Sequence, residues 1–316
     1  MELPRALRQA VDRALEGVPA RDLAAAADAL SQRYRAELRD GRFHVADDLA
    51  ARAYLAARLP ATYAAVRAAL EAVAAVRPEF APSNLLDFGA GPGTALWAAR
   101  DCWPDLKVAT LIEASASMRK FGAEFAPQSG VAQVDWRGDA PSAGARDLVT
   151  LAYVLDEMDD AQRAALVQHL WSVTGDTLLI VEPGTPAGYR RILAARDQLL
   201  RQGAHMIAPC PHTDACPLAG PDWCHFSRRV ARSRAHLQAK NAEVPWEDEK
   251  FSYLAVARNA VSLPAARVIA PPRVGSGKIE LKLCKGDGSA ELVLVTKREG
   301  ARYKQARRLD WGEPWS

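Results

Sequence analysis

The chain has little of what marks several common protein classes. It holds 5 cysteines in 316 residues, an odd and low count. That argues against a disulfide framework and for metal binding or catalysis. No apolar run approaches a membrane span; "TLLIV" (177–181) is among the longest. The start, "MELPRALRQAVDRALEG", carries acids and lacks the apolar stretch of a signal peptide. The expectation is therefore a cytoplasmic protein with no membrane partner. No internal repeat is evident. "GSGK" (Gly275–Lys278) lacks the upstream glycine of a phosphate-binding loop and the hydroxyl residue after its lysine, and reads as a hairpin turn. Net charge is scarce too, at +3, too small to require a nucleic-acid partner.

The distribution of charge says more than its sum. From Trp223 to Ala242 there is no acid, while Arg228, Arg229, Arg232, Arg234 and Lys240 are all basic. The terminal stretch "TKREGARYKQARRLDWGEPWS" is also basic before its last residues. Clusters of this kind suit phosphate-backbone binding, so RNA is the expected partner, read against the plainer alternative of a solvated helix face and tail. Hydrophobic residues make up 49% and charged residues 25%, ordinary for a globular protein.

Residues 1–80 read as a helical region rich in alanine, leucine and arginine, with apolar positions at helical spacing. Pro60 ends or kinks one helix there, and Pro78 and Pro82 close the region. From Ser83 short apolar strands such as "NLLDFG", "KVATLIEA", "DLVTLAYVL" and "DTLLIVEPG" alternate with helical stretches. That alternation implies an α/β domain over 81–316, its parallel sheet covered on both faces. A cysteine-rich insertion with a basic helix occupies 205–250. Late strands over 251–300 are expected to finish the sheet, and 301–316 is read as a basic tail.

Two motifs carry chemistry. "LLDFGAGPGTALWAA" places Asp87, then Gly89, Gly91 and Gly93, where a strand turns into a helix. Glycines let the backbone turn sharply beside a ligand, and the helix start adds free N–H groups. The next strand ends in Glu113, about twenty residues on, where a carboxylate can accept both ribose hydroxyls. The second motif is "CPHTDACPLAGPDWCHF" (Cys210–Phe226), with three cysteines at spacings unlike the tight pairs of zinc knuckles. A cubane iron–sulfur cluster tolerates wider spacing. Cys284, at the end of "KIELKLC", is assigned as the fourth thiolate, while Cys102 in "AARDCWPD" reads as a core thiol. His212 and His225 are possible ligands and would suit zinc better, so the metal stays open on residue grounds alone.

The glycine loop resembles motif I of class I methyltransferases over roughly 84–182. The resemblance implies that S-adenosylmethionine sits against Asp87, Gly89, Ala90, Gly91, Gly93 and Thr94. It also implies that Glu113 holds the ribose and Asp139 meets the adenine. The stretch "LAYVLDEM" (151–158), with Leu155, would line the donor and target site. The cysteine pattern within such a domain resembles a small-ribosomal-subunit methyltransferase-like family found in bacteria and mitochondria, over about 80–297. That resemblance implies a class I Rossmann-like fold and a [4Fe-4S] cluster on Cys210, Cys216, Cys224 and Cys284. It further implies binding to small-subunit ribosomal RNA and a role in assembling that subunit.

No nucleophile-activating motif accompanies the donor site. There is no N-P-P-[YF] or D-P-P-[YF] run, and no Pro-Cys after the fourth strand. In that place stands "YVLDEMDD", so Tyr153, Asp156 and Glu157 are the catalytic candidates, while Asp159 and Asp160 read as helix caps. Two functions follow: an RNA methyltransferase, or a scaffold that keeps the donor fold, either way a monomer away from the ribosome. No redox-partner motif is present, so a cluster would be structural.

Overall fold

The computed structural model describes residues 1–36, 44–139 and 144–315. Four helices come first: α1 (Arg5–Leu15), α2 (Ala20–Arg35), α3 (Asp48–Ala57) and α4 (Leu59–Val76). The chain breaks at Arg58, and Pro60 falls in the first turn of α4, where its missing N–H leaves no bond unmade. Of the described helices, α4 alone is long and apolar enough to cross a membrane, yet most of it is buried within the fold against α5 (Thr94–Cys102) and β8 (Trp246–Ala257).

The alternating region then builds β1 (Asn84–Phe88), β2 (Val108–Ile112), α6 (Ala116–Phe125), β3 (Gln133–Arg137), β4 (Arg146–Ala152), α7 (Asp160–Ser172), β5 (Thr174–Pro183), α8 (Pro186–Arg201) and β6 (His205–Ala208). The main sheet runs β3-β2-β1-β4-β5-β8-β6. The first five strands are parallel, and β8 enters antiparallel between β5 and β6. This is the class I methyltransferase-like arrangement. Successive strand residues point to opposite faces: Leu85, Leu179 and Val181 join the core under α1–α6, while Leu86, Leu178 and Ile180 join the core under α7 and α8. Burial on both faces is why these strands read as continuous apolar runs.

Three expectations are corrected. The first is the basic helix: residues 226–231 form strand β7 (Phe226–Ala231), paired with the first half of β8, and only α9 (Arg234–Ala239) is helical. Alternation of Phe226, Arg228 and Val230 with their neighbours is a strand period, and a pairing strand was at hand in β8. The second is the late strands, of which β8 alone among 251–300 joins the main sheet. β9 (Ala266–Val268), β10 (Arg273–Gly275), β11 (Lys278–Lys285), β12 (Ala290–Thr296) and β13 (Pro314–Trp315) form a separate sheet. Its own core of Val268, Ile279, Leu281, Leu283 and Val295 is covered by Tyr303 and Ala306 of α10 (Ala301–Ala306). The third is the tail, since α10 packs on this sheet and β13 pairs with β9. The turn at residues 276–277 does join a hairpin, β10 to β11.

Candidate functional site

Beyond β1 the chain turns through Gly89, Gly91 and Gly93, all with positive φ, into α5. A side chain at Gly89 would be strained at φ 68, and its Cβ would sit 2.3 Å from Val154 Cγ2, so that Val154 would have to shift. Glu113, just after β2, stitches this loop to the start of α6. One carboxylate oxygen accepts from Gly91 N at 2.8 Å and the other from Ser115 N at 2.7 Å. Each oxygen keeps a lone pair for a ligand hydroxyl. Asp87 lies beneath the loop, 2% exposed, and accepts from Thr150 Oγ1 at 2.6 Å. Burial, with Glu113 nearby, pushes its carboxyl up to about 7.

Gly89, Gly91, Glu113, Asp139, Tyr153, Asp156 and Glu157 line one cavity of about 590 Å³. Ala90, Gly93, Thr94 and Leu155 do not line it. Gly93 instead packs on Trp136. Leu155 is buried in the core under α7, and its backbone N–H donates to Glu182 Oε1 at 3.1 Å. Asp159 does cap α7, in a reciprocal box with Gln162.

The cavity wall is acidic. Burial pushes Glu157 up to about 7, with Asp156 and Glu113 adding to the rise. Behind it, burial and then Asp156 raise Glu182 to about 7, although Arg191 Nε donates to it at 2.6 Å and pulls the other way. Tyr153 is held at φ 59, a conformation few side chains adopt. Its hydroxyl donates to Glu249 Oε1 of β8 at 2.8 Å, and Arg58 reaches the same oxygen at 3.5 Å. Burial and then Glu249 push this phenol above its ordinary value.

The roof of the cavity is made by residues that carry no motif. Tyr34 of α2, His44, Tyr54 of α3 and Arg58 all line it. They come from the helical region, and only packing brings them over the glycine loop. The one local signal is Tyr54 and Arg58, a large polar pair four residues apart in an alanine-rich stretch.

Cys210, Cys216, Cys224 and Cys284 line a second, smaller cavity with Tyr189, Arg196 and Tyr253. Cys284 comes from β11 of the separate sheet, the other three from the connection between β6 and β7. Tyr189 Oη lies 3.1 Å from Cys216 Sγ, and His212 Nε2 lies 3.4 Å from Cys284 Sγ. His225 stacks on Trp223 instead and does not line the cavity. Cys102 lies apart on α5, beside Arg67. Among the described residues no group of three His, Cys, Asp or Glu side chains is arranged to hold a single metal ion. The cysteines offer sulfur donors, a soft set suited to iron–sulfur ligation.

Several cations of the basic run have carboxylate partners within the fold. β7 and β8 pair Arg228 with Glu249 and Arg229 with Asp248 across the ladder. Arg229 bonds Asp248 at 2.9 and 3.1 Å. Arg232 and Lys240 both bond Glu247 Oε2, at 3.0 and 2.7 Å. Burial alone would raise Glu247, but hydrogen bonds from His236, Lys240 and Arg232 hold it far below the carboxylate range. Arg234 is exposed at the start of α9.

Compared with known proteins, residues 48–316 match the family described as mitochondrial small ribosomal subunit Rsm22. The human "Ribosome assembly protein METTL17, mitochondrial" is 31% identical over 283 residues, covering 82% of this chain and 61% of its own length. "Rsm22-cox11 tandem protein 2, mitochondrial" of Schizosaccharomyces pombe is 22% identical over 329 residues, covering 83% of this chain and 42% of its own. The chain therefore spans less than two thirds of these relatives. Among solved structures, an O-methyltransferase family protein from Burkholderia thailandensis aligns with TM-score 0.42 and 14% identity over 73% of this chain and 68% of that one. The relatives' names correct the cytoplasmic expectation, since they point to the mitochondrion. The segment behind that expectation, α1, buries Leu7, Ala10, Val11 and Ala14 in the core.

Proposed function

The chain belongs to the Rsm22 family, and from that premise we propose that it serves small ribosomal subunit assembly as an RNA-contacting protein that binds S-adenosylmethionine. The observation that carries the donor reading is Glu113, whose carboxylate bridges the glycine loop and α6 at the edge of an acidic cavity. A ribose finds acceptors there, and a sulfonium cation finds Glu157 and Asp156 in the same wall. Asp139, in the lining of the same cavity, is assigned to the adenine. Titration of the purified protein with S-adenosylmethionine tests this: binding with the heat of a one-to-one complex is expected, and no heat would sink it.

Cys210, Cys216, Cys224 and Cys284 are proposed to hold a [4Fe-4S] cluster. Bound there, it would join the β6–β7 connection to β11 as a structural staple. Brown protein on anaerobic purification is the expected result, and colourless protein with one tightly held zinc would overturn it. RNA contact is assigned to Arg228 and Arg234, which no ion pair engages among the described residues, and to the exposed cations of 297–308. Arg229, Arg232 and Lys240 have the carboxylates of β8 to satisfy first.

One observation favours the scaffold over the enzyme. Tyr153, the aromatic best placed for a target base, spends its hydroxyl on Glu249 and stays protonated. A map of ribosomal RNA methylation with and without the gene decides. An unchanged map beside a small-subunit assembly defect supports the scaffold, and a single lost methyl mark supports the enzyme.

A further inference from the structure

Two guanidinium groups lie buried beside the four cysteines without an adequate counter-charge. Arg267 of β9 is 1% exposed and stands directly across the ladder from Cys284. Its Nε donates to the carbonyl of Pro209 and its Nη1 to that of Gly312 at 2.7 Å. Its Nη2 is buried with no hydrogen-bond partner, and no carboxylate pairs with it among the described residues. Arg196 of α8 is 2% exposed and lines the cysteine cavity. Its Nη2 donates to the carbonyls of His212 at 3.2 Å and Asp214 at 2.7 Å. Its carboxylate neighbour among the described residues is Asp197 at 3.4 Å, whose side chain is 57% exposed.

Burying a cation without a partner is costly, so such a residue persists where something negative sits nearby. Neutral thiols do not supply that charge. Four thiolates around an iron–sulfur core do, because the whole assembly is a net anion. The converse also holds: crowding buried sulfurs together opposes their ionisation, and cations beside them relieve it. Both guanidinium groups stand beside the sulfurs, Arg267 across the ladder from Cys284 and Arg196 in the lining of the cysteine cavity. The backbone bonds add a second role. Arg267 holds the residue before Cys210, and Arg196 holds two residues after it, so the pair brackets that ligand in the loop.

Resting on the reading that the four cysteines hold a cluster, we propose that Arg267 and Arg196 are its positioning residues and counter-charges, fixing the Cys210 loop and raising the cluster's reduction potential. A nearby positive charge favours the more negative, reduced state, so removing it lowers the potential.

The test uses the full chain purified without oxygen, with a redox titration followed by visible and electron paramagnetic resonance spectra. Arg267→Met and Arg196→Met are each expected to lower the midpoint, whereas Arg267→Lys keeps it near that of the unaltered protein. Variants that keep a full cluster and titrate at the unaltered midpoint would overturn the proposal. If Arg267→Met loses its iron, retention by Arg267→Lys still supports the charge role, and loss of iron from both overturns it. Unaltered protein that carries no iron would instead remove the cluster reading on which the inference stands.

Discussion

Two stretches of this chain look alike in sequence and differ in what their charge does. Residues 228–240 carry five cations and no acid, and residues 297–308 carry six cations and one acid, Glu299. In the first, Arg229, Arg232 and Lys240 are tied to Asp248 and Glu247 of the adjoining strand. In the second, only Arg302 is paired, with Glu299 at 2.8 Å, while Lys297, Arg298, Lys304, Arg307 and Arg308 stand exposed and outside any ion pair among the described residues. A run of cations is thus half of an observation; the other half is what the fold lays opposite it. Here "RR" faces "EDE" in an antiparallel ladder, where opposite charges across the strands stabilise the pairing. In the first cluster three of the five cations serve the fold, while in the second five of the six have no carboxylate partner among the described residues.

The largest effect should come from Glu247→Ala. Its side chain is 14% exposed and gathers Arg232, Lys240 and His236. Its loss leaves Arg232 and Lys240 without their shared carboxylate, and we expect a cost of about 2–3 kcal/mol in chemical denaturation, at or below the range for breaking a fully buried pair. The pH dependence has a definite sign. Because the folded carboxyl lies below its ordinary value of 4.5, its contribution is complete above that pH and fades as the pH falls further. A variant as stable as the parent would mean that the ladder does not hold this region.

The next effect separates the two clusters by binding. Reversing Lys304, Arg307 and Arg308 to glutamate should leave the melting transition nearly unmoved. Affinity for a small-subunit RNA fragment should drop roughly tenfold or more, and the slope of log affinity against log salt should flatten by about 0.7–0.9 for each phosphate no longer neutralised. An unchanged slope would move the RNA face elsewhere.

A third use of charge lies in the cavity beside the glycine loop, where burial lifts the Glu157 carboxyl into the neutral range. Glu157, at about 7, ionises through the neutral range. A sulfonium ligand should therefore bind several-fold more tightly about one pH unit above that value than one below it, the sign following from the gain of negative charge in the wall. Calorimetric titration at the two values checks it, and equal affinities would place the ligand's cation away from Glu157.

The contrast also marks what the sequence could disclose. The strand–loop–helix around Gly89 was legible because all its determinants are consecutive, and Glu113 followed from the length of one helix and one strand. The four cysteines were legible as a set because few other thiols compete with them. The strand character of 226–231 was hidden by its arginines, and the first half of β8 by its acids, since neither shows the apolar alternation that signals a strand. Each is explained only by the other. Short amphipathic strands such as β9 and β11 look the same in either sheet, so their separate sheet was out of reach. The roof of Tyr34, Tyr54 and Arg58 depended on how α2–α4 pack, which no local pattern encodes.

The smallest effect is the most discriminating test of the comparison. Arg229 and Asp248 form a two-bond pair, yet both side chains are largely exposed. Water screens such a pair, and ordering two side chains offsets much of its attraction. Arg229→Ala should therefore leave stability almost unchanged, unlike Glu247→Ala, although the two pairs lie on the same ladder. It should also leave RNA affinity unchanged, because Asp248 already neutralises Arg229. If Arg229→Ala instead weakened RNA binding and flattened the salt slope by a whole phosphate, its bond to Asp248 would be one that RNA displaces. Arg229 would then join Arg228 and Arg234 on the RNA face, with β8 serving as its resting partner.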